Sequence, residues 1–215
     1  MMQPFPLPSP GETPSGVRIA VPEDRDEITR ILIDAFADDP VWGPAFPDPE
    51  LREAQASAYW DFMVGQALKY PESLVTMGPA GLLDAVAIWL PPGVPEVDPA
   101  DAPALEALGR SLMAAPQLLA LEETGQRFAE ARPAAPHAYL SLLATAPEAR
   151  GRGEGMRLLA AALTRYDTAG IDTYLESSNP ANNDRYRAQG YAEHRSFRLA
   201  DGTPVQTFWR AARER

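Results

Sequence analysis

The run Arg150-Gly-Arg-Gly153-Glu-Gly155 stands between an apolar segment, His137 to Thr145, and a stretch whose Met156, Leu159, Ala162, Leu163 and Tyr166 recur at helical spacing. Glycines at alternate positions let several backbone N–H groups converge on one oxyanion with no Cβ in the way. A helix N-terminus adds roughly half a positive charge at that point. The pattern predicts an anion-binding turn helped by Arg150, Arg152 and Arg157, against the plainer reading of a tight strand-to-helix turn with solvated arginines. The spacing excludes two common phosphate sites. G-x-G-x-G is not the dinucleotide fingerprint, and no Gly-Lys-Ser/Thr follows as a P-loop requires.

Proton-transfer candidates lie downstream. Tyr186, like any tyrosine with an ordinary pKa near 10, stays protonated at neutral pH. Glu176, in the apolar run Thr173 to Ser177, and His194, beyond Gly190-Tyr191, are alternative general bases, acting directly or through water. The plainer readings are a packed tyrosine, a surface glutamate and a structural histidine. Asn182 fits a turn or the cap of the helix bearing Tyr186.

The chain has 215 residues, no cysteine and two histidines, His137 and His194. Disulfides, thiolate metal sites and cysteine nucleophiles are thereby excluded, and no metal centre is expected. A formal charge of −11 disfavours nucleic acid and anionic membranes as partners. No apolar stretch approaches the roughly 20 residues that span a bilayer. The expectation is a cytoplasmic protein that binds neither nucleic acid nor membrane. Its oligomeric state is left open, a homodimer included.

These residues need elements to hold them. Residues 1–16, with five prolines, read as a tail, and residues 17–215 as one domain. A short strand at Val17 to Ala20 precedes a helix with Ile28, Ile31, Leu32, Ala35 and Phe36 on one face, ended by Asp39 and Pro40. A second helix spans about Pro49 to Tyr70. Strands at Ser73 to Met77 and Leu82 to Leu90 flank a glycine-proline turn and read as a hairpin. An insertion over 91–136 opens with prolines and continues as one or two helices interrupted near Pro116. From His137 the order is strand, glycine loop, helix, strand, short helix and two strands. Trp42, Tyr59, Trp60 and Phe62 read as core more readily than as a pocket wall.

Two motifs in order carry a resemblance. The string Leu143 to Gly155 resembles the acyl-CoA motif of the GNAT superfamily of N-acetyltransferases, Arg/Gln-x-x-Gly-x-Gly/Ala, with Arg150, Gly153 and Gly155 at the fixed positions. Asn182-Asn-Asp-Arg-Tyr186-Arg-Ala-Gln-Gly190-Tyr191 resembles the later segment Asn-x-x-x-Tyr-x-x-x-Gly-Phe/Tyr. The likeness covers residues 17–212 and is specific over 137–191. In finer grain the chain is similar to puromycin N-acetyltransferases at Ala35-Phe-Ala-Asp38, Ala85-Val-Ala-Ile-Trp89 and Leu175-Glu-Ser-Ser178.

The resemblance implies an α+β fold: a twisted, mostly antiparallel sheet with helices on both faces, and two splayed parallel strands forming an acyl-CoA cleft. It further implies acetyl-CoA as cofactor, with Leu143, Ala144 and Thr145 bonding pantetheine. The backbone of Arg150, Gly151, Arg152, Gly153, Glu154, Gly155 and Met156 would hold the pyrophosphate, and Asn182 is placed at the cofactor. Tyr186 becomes general acid and Glu176 the favoured base, with an oxyanion donor near Ala144 or Thr145. The acceptor would be a small-molecule primary amine, attacking directly in a ternary complex because no covalent nucleophile has a supporting motif. A protein or peptide acetyltransferase and a non-catalytic acyl-CoA sensor stay open as alternatives. Two departures stand out: Glu154 puts an acid in the anion loop, and Asp184-Arg185 replaces the aromatic residue that puromycin-type enzymes carry before the tyrosine.

Overall fold

The computed structural model describes residues 16–79 and 81–213; apart from Gly16, the expected N-terminal tail lies outside the described residues. Helix α1 (Arg25–Phe36) follows the short strand β1 (Val17–Ile19) and buries Ile28, Ile31 and Leu32, the predicted face. It ends where the Asp39 carboxylate accepts the Val41 and Trp42 N–H groups at 2.9 and 3.2 Å, folding the chain away from the helix axis. Helix α2 (Arg52–Ala67) packs along α1. Strands β2 (Leu74–Met77) and β3 (Leu83–Leu90) form the expected hairpin.

Pro116 does not break a helix. It occupies the first turn of α4 (Ala115–Ala131), where a missing N–H costs nothing, and the chain turns between Leu112, the end of α3 (Ala102–Leu112), and Ala115. Strand β4 (Ala138–Thr145), helix α5 (Glu154–Ala169), strand β5 (Thr173–Ser177), helix α6 (Asn183–Ala188) and strands β6 (Ala192–Arg198) and β7 (Pro204–Arg210) complete the order.

One seven-stranded sheet runs β1-β2-β3-β4-β5-β7-β6, with every neighbouring pair antiparallel except β4 and β5. This is the α+β mixed sheet that the resemblance implied. Its faces follow from strand alternation. Val86, Ile88, Leu142 and Tyr174 pack against α1 and α2 and the inner sides of α3 and α4. Ala85, Ala87, Trp89, Leu140 and Phe208 meet Leu158, Leu159, Ala162, Leu163 and Tyr166 of α5 on the opposite face. Each fully buried leucine there contributes about 1.5–3 kcal/mol.

Within β4 the alternation slips once. Ile88 pairs with Leu142 but Trp89 with Leu140, so Ser141 is an extra residue in a bulge. At the far edge β6 is exposed along nearly its whole length, and its register against β7 jumps between Glu193 and Ser196. No helix among the described residues is long and apolar enough to cross a membrane.

Candidate active site

Strands β4 and β5 pair only over Ala138 to Leu140, opposite Thr173 to Leu175. Beyond that, β4 stays with β3 through Thr145, while Glu176 and Ser177 of β5 pair with β7. The two strands diverge because each has its better partner on its outer side, and a cleft of about 620 Å³ opens between them.

The register decides which backbone groups enter that cleft. Ala146 N–H donates to Asp84 at 2.8 Å, and antiparallel alternation gives Ala144 the same relation to its partner Val86. The N–H and C=O groups of Leu143 and Thr145 therefore turn the other way, toward the gap. Of the three residues predicted to bond along the strand, Ala144 spends its backbone on β3. This narrows the expected donor near Ala144 or Thr145 to Thr145.

The glycine loop leads from β4 into α5, and its glycines do two different things. Gly151 and Gly153 have φ near +80°, a conformation that favours glycine. Gly155 has ordinary dihedrals but lies so close to β4 that a Cβ would come within 3.2 Å of Thr145 Oγ1. Arg157 N–H bonds back to Gly153, and no side chain caps the helix, so the N–H groups of Glu154, Gly155 and Met156 point out of its first turn beside the cleft. Arg150 donates to the Asp34 carbonyl at 2.9 Å and ties the loop to α1. The acid in the loop has its own partner: Glu154 accepts Arg157 Nε at 3.0 Å and its charge is compensated. Arg152 is exposed and does not line the cleft, unlike the other predicted residues.

Tyr186 enters from α6 with its ring against Tyr191 and Phe208. Burial pushes its phenol up to about 12, and Asp39 adds to the shift. Asp39, which the sequence offered only as a helix stop, also accepts Ser178 Oγ at 2.6 Å and binds the end of α1 to the loop after β5. Asn182 stands in the turn before α6 and at its N-cap position, but its side chain makes no capping bond. Its Oδ1 accepts from Arg185 at 3.0 Å, and the side-chain cap in this loop is Asn179, which takes the Ala181 N–H at 3.0 Å.

Glu176 lies across the cleft from the loop. Burial pushes its carboxyl up to about 7, against the Arg132 guanidinium and the Tyr139 and Tyr174 hydroxyls, which pull it down; Glu96 pushes it up further. Its Oε1 is buried without a hydrogen-bond partner among the described residues. His194, the alternative base, is exposed on β6 with its ring against Tyr174 and Trp209, and it is not part of the cleft lining.

Trp42, Tyr59 and Trp60 are both core and pocket wall. Tyr59 and Trp60 are buried, yet all three border the cleft, and Phe128 of α4 stacks on Trp42 at 6.3 Å. Sequence reasoning missed Asp39, Glu96, Phe128, Arg132, Tyr139 and Ser141. Only Tyr139 left a signal, as the residue of the apolar strand that parallel pairing sets beside the strand of Glu176.

The family profile described as an acetyltransferase (GNAT) domain matches residues 101–208, from α3 to β7, and so takes in both lips of the cleft. The chain belongs to the GNAT acetyltransferases. Among solved structures this acetyltransferase is similar to a histone acetyltransferase HPA2 and related acetyltransferase from Corynebacterium glutamicum. The two share 23% identity at a TM-score of 0.69, over 94% of this chain and 99% of that one. It is also similar to a Drosophila melanogaster polyamine N acetyltransferase (19% identity, TM-score 0.59, 91% and 98% covered) and to a mosquito arylalkylamine N-acetyltransferase like 5b (15%, 0.55, 91% and 98%). At these identities the likeness is one of fold. No curated protein matches this acetyltransferase.

The residues present fit the acyl-CoA that this family uses. The α5 N-terminus offers donors and partial positive charge to a pyrophosphate, and the β4 edge offers alternating backbone groups to an amide-bearing arm.

Proposed function

We propose that the chain transfers an acetyl group from acetyl-CoA to the primary amine of a small molecule by direct attack in a ternary complex, and that one domain over 17–215 carries the activity. The observation that carries this reading is the buried Glu176 carboxyl, its Oε1 without a hydrogen-bond partner among the described residues, in the same cleft as Tyr186 and with the glycine turn on one lip. When bound, acetyl-CoA supplies an activated acyl group and a thiolate leaving group.

The protein's residues supply the rest. Glu176 takes a proton from the acceptor ammonium: a carboxyl near 7 is about half ionised at neutral pH and is a stronger base than a solvated glutamate. Tyr186 holds a proton at its hydroxyl across the neutral range and gives it to the leaving group. Thr145 N–H, turned into the gap, donates where negative charge develops on the acyl oxygen. The N–H groups of Glu154, Gly155 and Met156 at the start of α5 hold the pyrophosphate, because those of Arg150 and Arg152 are bonded to Pro147 and Ala149 within the turn and the Arg150 and Arg157 guanidiniums have partners. Asn182 lines this cleft, whereas Arg152 stands outside it.

The aromatic wall of Trp42, Tyr59, Trp60 and Phe128 supports a small amine with an apolar body over an extended peptide. The finer likeness to puromycin-type enzymes we carry as far as the reaction. We do not carry the antibiotic, because Asp184 and Arg185 are engaged in charged contacts with Arg187 and Asn182 where those enzymes have an aromatic residue.

The test is release of free thiol from acetyl-CoA with a panel of aminonucleosides, aminoglycosides, polyamines, arylalkylamines, amino acids and lysine peptides. Amine-dependent release is expected with a small amine. Release with lysine peptides alone would move the reading to a protein acetyltransferase, and binding of acetyl-CoA with no release for any amine would favour the sensor.

A further inference from the structure

The two ends of the 91–136 insertion meet beneath the cleft. Glu96, from its proline-rich start, accepts the Arg132 guanidinium at 3.1 Å and the Ser141 hydroxyl at 2.7 Å. Ser141 is the extra residue of the β4 bulge, and that bulge places a polar hydroxyl beside Glu96 in the middle of an otherwise apolar strand. Arg132, the residue that closes α4, lies over Tyr139 with its guanidinium carbon 3.8 Å from the ring centroid. Tyr174 anchors the same turn by donating to the Ala131 carbonyl at 3.4 Å. In this cluster both Nε of Arg132 and Oε1 of Glu176 are buried without a hydrogen-bond partner among the described residues.

We propose that Arg132 and Glu96 are a pair of positioning residues that act on the Glu176 carboxylate from across the Tyr139 ring, without a direct bond to it, and balance its charge, so that the insertion completes the acceptor base. This rests on Glu176 being that base. The pair does something that neither member could do alone. Burial by itself would leave Glu176 protonated and unable to accept a proton. Arg132 by itself would hold Glu176 ionised so firmly that it would be a poor base. Glu96 takes up part of the guanidinium charge and leaves Glu176 between these limits, where a base is most effective near neutral pH.

The other groups facing Glu176 are the hydroxyls of Tyr139 on β4 and Tyr174 on β5. One shell further out, His137 lies beside Arg132, and His194 stands against the Tyr174 ring.

A merely structural ion pair and a balancing pair predict different things. Loss of either partner of a structural pair lowers stability and activity alike, with no displacement of the pH profile. Loss of the two partners of a balancing pair displaces Glu176 in opposite directions. Two profiles test this in the full-length protein. One is the 13C titration of the glutamate carboxyls without ligand, with Glu176 assigned by its disappearance in Glu176→Gln. The other is kcat/KM against pH with the amine found in the thiol-release panel.

Arg132→Met is expected to move the Glu176 titration and the acidic limb upward by about one pH unit or more, and Glu96→Gln to move both downward. Arg132→Lys, which keeps the charge, should return both toward the wild-type position. Shifts in the same direction, or none, in folded variants would overturn the proposal. If Arg132→Met does not fold, Glu96→Gln and Arg132→Lys still decide it. An acidic limb that survives in Glu176→Gln would remove Glu176 as the base, a failure of the functional reading that the ligand-free titration keeps separate from the pair.

Discussion

The two lips of the cleft are built by opposite means. On the lip we assign to the cofactor the groups on offer are main-chain: orphan N–H groups of α5 and the outward-turned backbone of Leu143 and Thr145, delivered by one continuous segment. On the side we assign to the acceptor they are side chains from many segments: Asp39 after α1, Trp42, Tyr59 and Trp60 around α2, Glu96 and, behind it, Arg132 at the ends of the insertion, and Glu176 on β5. A site made of backbone demands particular dihedrals and close approaches, and so it fixes glycines at set intervals. A site made of side chains demands only that distant residues meet, and no local pattern records that.

The contrast can be broken or sharpened by substitution. The largest effect is expected at Glu176→Gln, with a loss of about a hundredfold or more in kcat/KM and disappearance of the acidic limb, measured by steady-state kinetics from pH 5.5 to 9. The sign follows from the role. A base must be ionised, so with a carboxyl near 7 the rate rises as pH passes through neutrality and stands at about a tenth of its plateau one unit below. Tyr186→Phe should lower kcat by roughly a hundredfold while acetyl-CoA affinity, read by calorimetry, is retained. Unchanged turnover would end its role as acid.

Smaller effects separate the lips. Trp42→Ala is expected to raise KM for the amine about tenfold, from loss of roughly 1.4 kcal/mol of aromatic contact, with KM for acetyl-CoA unmoved. Gly153→Ala should do the converse. Forcing a Cβ residue to φ near +80° costs about 1–2 kcal/mol, seen as a lower thermal midpoint, and re-aims the first N–H groups of α5, seen as weaker acetyl-CoA binding. Arg152→Ala, outside the cleft, should change neither constant by more than about twofold, as expected of an exposed charge. A larger loss there would mean that the cofactor lip depends on side chains after all.

The order of elements was legible in the chain because each has its own punctuation: Pro71 after α2, the glycines between β2 and β3, the apolar periodicity of α5. The mixed sheet and its splay came through resemblance, since pairing partners are not encoded locally. Gly151, Gly153 and Gly155 were readable for the reason given above, whereas nothing in the pattern set Arg152 apart as the loop residue outside the cleft. Asn182 stands in the turn and at the N-cap position that an asparagine before a helix suits, but its side chain bonds Arg185 and makes no cap, a choice that local sequence does not record. Ala144 could not be told from Leu143 and Thr145, because the register is fixed by β3. Glu96 and Arg132 lie 36 residues apart in unremarkable surroundings, and only the folded insertion brings them together.

The strand at the far edge of the sheet has a consequence for the protein in a crowded solution. β6 presents Glu193, His194, Arg195 and Arg198 to solvent and slips its register midway. An extended segment of another molecule would find there neither a flat ladder of hydrogen bonds nor an apolar strip to cover. The open end of the sheet is thereby guarded against edge-to-edge aggregation by its own charges and its own irregularity.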